Sequence, residues 1–131
     1  MDRVYLLDVA TRRVAIVWAT AQKIWPKALK DVKPPEVKIN ARLKTTAGLA
    51  YSKAHRVEFS AELMWEHTEH FIKDTIPHEV AHIVTDLRFP NERIIHGQPW
   101  RDTMFVLSGR EPKRCHSMVN SEWEAKKAKA L

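Results

Sequence analysis

Cysteine is almost missing from this chain: Cys115 stands alone among 131 residues. One cysteine forms no internal disulfide and no four-cysteine zinc cluster, so any metal must be held mainly by histidine and carboxylate. Glycine is scarce as well, with three in the whole sequence, which leaves no glycine-rich loop to cradle phosphates. No apolar run approaches the ~20 residues that a membrane-spanning helix requires. The stretch Val4–Leu7, behind Asp2 and Arg3, is too short for a signal-peptide core, and no small-residue cleavage site follows it. These absences predict a cytoplasmic, intracellular protein with no membrane partner. Internal repeats and low-complexity segments are also missing.

What remains is ordinary globular material. Hydrophobic residues make up 44% and charged residues 29%, a balance that suits one folded domain over residues 1–131 with a basic tail from about 120 to 131. The net charge is +6. A surplus of that sign suits a polyanionic partner such as nucleic acid, and it equally suits plain solubility. Two runs concentrate it: Arg12, Arg13, Lys23, Lys27 and Lys30 near the start, and Lys113, Arg114, Lys126, Lys127 and Lys129 near the end.

The patterning predicts an α+β fold. Ala10, Val14, Val17, Trp18, Ala21, Ile24 and Trp25 recur at steps of three and four, one face of an amphipathic helix from about Asp8 to Trp25, capped by Asp8 or Thr11 and ended by Pro26. Three short strands follow, Glu36 to Asn40, Gly48 to Ser52 and Arg56 to Ser60, the last two as a hairpin, giving a small antiparallel sheet. His55 sits at the hairpin tip and is expected to be exposed. From Ala61 the chain reads helical, with Pro77 at the first turn of a new helix running to about Leu87. Another helix is expected from Gln98 to Leu107, stopped by Ser108 and Gly109, and the tail from Trp123 reads as helical or frayed.

The chemistry is concentrated in the helix after Pro77. His78-Glu79-Val80-Ala81-His82 is an H-E-x-x-H motif. Histidines four apart project from one helical face and can grip one zinc ion, while Glu79 is placed to take a proton from an activated water. Ile76, Val80, Ala81, Ile83 and Val84 make this helix apolar. Histidine and glutamate buried in such a helix are costly unless they are paired or ligate a metal. A catalytic zinc takes three protein ligands and keeps one position open. The third ligand can come from Asp86, Glu92, His96, Asp102, Cys115 or His116. His96 is the best placed, because Gly97 permits a tight turn beside it, and Glu92 is the serious rival. His67 and His70 read as solvent-facing. Asp86 reads as a helix-end residue or as an acceptor behind the ligands.

Several stretches together resemble the SprT-like family of zinc metalloproteases. These are Ala47-Gly48-Leu49-Ala50-Tyr51, Arg56-Val57-Glu58-Phe59-Ser60, Ile76-Pro77 with the H-E-x-x-H motif, and His96-Gly97-Gln98-Pro99-Trp100. The resemblance spans roughly residues 8 to 119. H-E-x-x-H alone is common among zinc proteases; its pairing with H-G-x-x-W at this distance is far more specific. The resemblance implies His78, His82 and His96 as ligands of one Zn²⁺, Glu79 as catalytic base, and Trp100 packed behind the metal. It implies a protein or peptide substrate, close to or crosslinked on DNA, and non-specific DNA binding. With Cys115 alone, the expected form is a minimal one without the paired-cysteine zinc ribbon of some members. A different class remains open: a zinc-stabilised DNA-binding module without catalysis, which would not need Glu79 and would close the metal with a fourth protein ligand. Donors to a developing oxyanion are open among Tyr51, Arg114 and His116, and either Glu36–Asn40 or Gly48–Ser52 can offer an edge for an extended peptide.

Overall fold

The structure, a computed structural model, describes residues 1–109. Helix α1, Arg3–Ile24, begins five residues earlier than its spacing suggests. Its cap is Asp2, whose carboxylate accepts from the Tyr5 amide at 3.0 Å. The contiguous apolar run Val4–Leu7 hides this start, since only Leu6 of the four is buried. The buried stripe then runs through Ala10, Val14, Val17, Trp18 and Ala21. Ile24, counted with that stripe, is exposed instead. Pro26 ends α1 and opens the one-turn helix α2, Pro26–Leu29.

Strands β1 (Glu36–Asn40), β2 (Gly48–Tyr51) and β3 (Arg56–Ser60) form one sheet in the order β1-β3-β2. The hairpin β2–β3 is antiparallel as expected. The sheet as a whole is mixed, because β1 runs parallel to β3. The cause lies in β3. Val57, Glu58, Phe59 and Ser60 are all buried, which is the signature of a central strand, so β2 and β1 flank it on opposite sides. The segment 41–47 makes the crossing and is tied down at its end, where the Ser60 amide and hydroxyl donate to the carbonyls of Ala47 and Leu43, each at 2.8 Å. His55, at φ 52°, is half-buried rather than exposed; its Nε2 meets the Lys33 carbonyl and its ring stands edge-on to Trp18.

After β3 the chain stays helical almost without interruption: α3 (Ala61–Glu66), α4 (Thr68–His70), a π-helical turn over Phe71–Thr75, and α5 (Ile76–Arg88). Pro77 lies in the first turn of α5. It has no N–H for the carbonyl four residues back, and its ring crowds that carbonyl; the widened π turn relieves both. The Arg13 guanidinium reaches across from α1 and donates to the Ile72 carbonyl at 2.9 Å. Helix α6, Gln98–Ser108, ends on Gly109 at φ 67°, a left-handed position that favours glycine. Arg88 fastens α6 to the body. It stacks over Trp25 at 4.2 Å and Phe89 at 4.8 Å and donates to the Thr103 hydroxyl at 3.1 Å. Burial pushes its guanidinium below its ordinary pKa, and the Asp102 carboxylate opposes that shift. No helix among the described residues is long and apolar enough to cross a membrane.

Candidate metal centre

Helix α5 is wedged between the sheet, α1 and α6, and nine of its thirteen residues are buried, His78 and Glu79 among them. The i,i+4 spacing puts His78 and His82 on one face, with ring centroids 5.1 Å apart. His96 reaches that face from the segment between α5 and α6: its Nε2 lies 3.0 Å from Nε2 of His82. One nitrogen from each of the three imidazoles falls within 4.8 Å of the others. Tetrahedral zinc with nitrogen ligands spaces them about 3.3 Å apart, so both the donor chemistry and the scale of this set fit zinc. Among the described residues it is the one group of three or more side chains able to hold a metal ion.

The other candidates are occupied differently. The Glu92 carboxylate accepts from the amides of Arg93 at 2.9 Å and Ile94 at 3.0 Å, so it shapes the loop that delivers His96. Asp86 accepts from the Ser52 hydroxyl, tying the end of α5 to the turn that follows β2. Asp102 accepts from the Gln98 side chain at 2.6 Å. Cys115 and His116 lie outside the described residues, as do Arg114 and the basic tail. His67 and His70 are half-buried rather than solvent-facing, and the His70 Nε2 lies 3.3 Å from the Asp74 carboxylate.

Two features of the site lie beyond the H-E-x-x-H motif, the first of them expected from the resemblance. Trp100, fully buried, touches all three rings: its centroid lies 4.7 Å from His78, 5.3 Å from His82 in a stacked arrangement and 4.6 Å from His96. The second is Gly48, at the start of β2. A Cβ there would stand 2.8 Å from Cγ of Glu79 and 3.1 Å from its Oε2. The bare backbone of Gly48 is what lets the Glu79 carboxylate lie beneath β2, with an oxygen 3.9 Å from Nε2 of His78. Gly48→Val is therefore expected to displace Glu79 while leaving the three imidazoles in place. A structure of the variant read beside its metal content checks this: loss of metal would place the damage on the ligands themselves. Gly97 also acts through space rather than through a special backbone angle. Its φ is −76°, and a Cβ would come within 3.0 Å of the Ile94 side chain.

The site opens on a cleft of about 730 Å³ between β2 and the 92–96 segment, with His78, Glu79 and His82 along it. Residues 19–118 match the SprT-like family. The chain belongs to that family. Among its SprT-like relatives, the "Protein SprT" of Pseudomonas fluorescens strain Pf0-1 is 37% identical over 71 residues, 54% of this chain and 43% of that one. The protein of the same name from strain SBW25 is 32% identical over 88 residues, 67% of this chain and 53% of that one. The one from Pseudomonas savastanoi pv. phaseolicola is 29% identical over 110 residues, 84% of this chain and 65% of that one. The chain thus spans about half the length of the curated relatives it matches. No solved structure matches it.

Proposed function

We propose that this chain is a zinc-dependent endopeptidase, with His78, His82 and His96 holding the metal and Glu79 acting as general base. The observation that carries the reading is the meeting of three imidazoles and a buried carboxylate on one side of an open cleft. Zinc bound there supplies Lewis acidity and brings water toward ionisation near neutral pH. The chain's own residues supply the rest. Glu79 takes a proton from the attacking water and returns it to the leaving amide nitrogen, so that each peptide bond broken consumes one water. Its burial keeps bulk water from competing for that proton. β2 is an edge of the sheet and lines the cleft, whereas β1 is the edge on the far side. An extended peptide added alongside β2 would bring a carbonyl to the metal. Tyr51 is exposed, with Arg56 over its ring at 4.8 Å, and does not line the cleft, which weighs against it as an oxyanion donor. A closed, non-catalytic zinc module would require a fourth protein ligand, and among the described residues none joins the three histidines, Glu92, Asp86 and Asp102 accepting hydrogen bonds elsewhere. Incubating the zinc-loaded protein with an unfolded protein and mapping the fragments by mass spectrometry tests the reading directly; an intact substrate overturns it.

The second part of the proposal is non-specific DNA binding. Arg12 pairs with Asp8 and the Arg13 side chain is held on the Ile72 carbonyl, so the side chains of this run left to reach a phosphate are Lys23, Lys27 and Lys30, all exposed. Trp65, 48% exposed, offers a face on which a base can stack. With no base-reading motif in the sequence, affinity should fall steeply with salt and show little sequence preference. Replacing the three lysines by alanine is expected to weaken binding and to flatten the log–log salt slope by up to about three. Fluorescence anisotropy at several salt concentrations measures both. A slope unchanged by the triple substitution would move the contact away from this patch.

A further inference from the structure

The 92–96 segment does more than deliver His96. Ile94 and Ile95 are 68% and 71% exposed, and both line the same cleft as the three histidines. Two adjacent β-branched apolar side chains left open to water cost free energy that burying them against something apolar would recover. They are held out rather than free to fold away. The Glu92 carboxylate accepts from the amides of Arg93 and Ile94, the Ile94 carbonyl accepts from the Gly97 amide at 3.2 Å, and the missing Cβ of Gly97 gives Ile94 its seat. Across the cleft Leu49 of β2 and, deeper, Leu63 offer further apolar surface.

We infer that Ile94 and Ile95 form a specificity lip that takes a large apolar side chain of the substrate residue flanking the scissile bond. The inference rests on the peptidase reading above. The lip directly precedes His96 in the chain, so a peptide with its carbonyl at the metal has its nearest side chains within reach of it. Isoleucine has few rotamers to lose, so an apolar occupant is gripped at little entropic cost. Hydrophobic pockets of this kind discriminate by about 10–200-fold per group removed.

The test uses the zinc-loaded full chain and a set of peptides that differ at one position, leucine, phenylalanine, alanine or serine, on each side of the cleaved bond. The parent is expected to prefer leucine or phenylalanine over serine by about tenfold or more. Ile94→Ser with Ile95→Ser should erase that preference while zinc content stays that of the parent. A second readout needs no turnover: binding of the same fluorescein-labelled peptides to Glu79→Gln should show the same ranking, and the added serines should level it. Equal handling of all four residues by the parent, or an unchanged ranking in the double variant, overturns the inference. So does a parent that is dimeric and becomes monomeric when the two isoleucines are replaced, which would assign the lip to self-association. A protein that cleaves nothing yet ranks the peptides by binding overturns the peptidase reading and leaves the lip standing.

Discussion

Replacing Glu79 by glutamine should yield a folded protein that keeps its metal and cleaves peptides about 10²–10⁴-fold more slowly. The argument is one of shape against charge. Glutamine matches glutamate in length and volume, so it fits the buried slot beneath Gly48 that the Cγ and Oε2 contacts define. It cannot accept a proton at the amide oxygen to any useful extent, so the attacking water loses its base. Because the substitution acts on the proton transfer and not on substrate contacts, kcat should carry the loss and KM should move little. Steady-state kinetics beside elemental analysis separate the outcomes. A variant as fast as its parent would remove Glu79 from the reaction, and a variant stripped of zinc would show the residue to be supporting the ligands.

The second large effect is expected at the metal itself. Zinc sites in small proteins bind with about 10–16 kcal/mol shared over four ligands, so losing one imidazole should cost about 3 kcal/mol, roughly a hundredfold in affinity. Alanine at His78, His82 or His96 should each produce that loss. The informative comparison is Glu92→Ala. The Glu92 carboxylate holds two loop amides and stands outside the histidine group, so its removal should loosen the 92–96 segment and weaken zinc binding only modestly. Competition titrations against a chromophoric chelator give all four affinities. Zinc retained by His96→Ala and lost by Glu92→Ala would reverse the assignment of the third ligand.

The parts of this site that could be read from sequence are those whose geometry is local. His78 and His82 lie on one face because four residues make about one helical turn, and the apolar residues between them announce the burial of α5. Pro77 at the first turn was legible for the same reason, and so were the three strands from their β-forming residues. What was hidden depends on contacts between distant segments. Nothing in Glu36–Asn40 says that it runs parallel to β3, since a short strand carries no mark of its direction. The π turn arises from Pro77 acting backwards on Phe71–Thr75, with Arg13 from another helix satisfying a carbonyl. Gly97 reads as a turn residue, yet what it provides is room for Ile94, and Gly48 provides room for a side chain 31 positions away. Sequence ranks His96 above Glu92 without separating them; what separates them is the Glu92 carboxylate's hold on its own loop amides.

The contact of Trp100 with all three imidazoles has a consequence for thermodynamic linkage. Trp100 belongs to α6, and with Ala81 and Met104 it makes a small cluster separate from the main core. An ion that fixes the three rings also fixes the surface on which this tryptophan rests. Metal binding and the docking of α6 are then two readings of one equilibrium, each favouring the other by the same factor. Free metal at a hundred times its Kd would add about 2.7 kcal/mol to the state with α6 in place. With a metal bound by these rings, the resistance of this end of the molecule to local opening would not be a constant of the sequence; it would rise and fall with the activity of that metal in its surroundings.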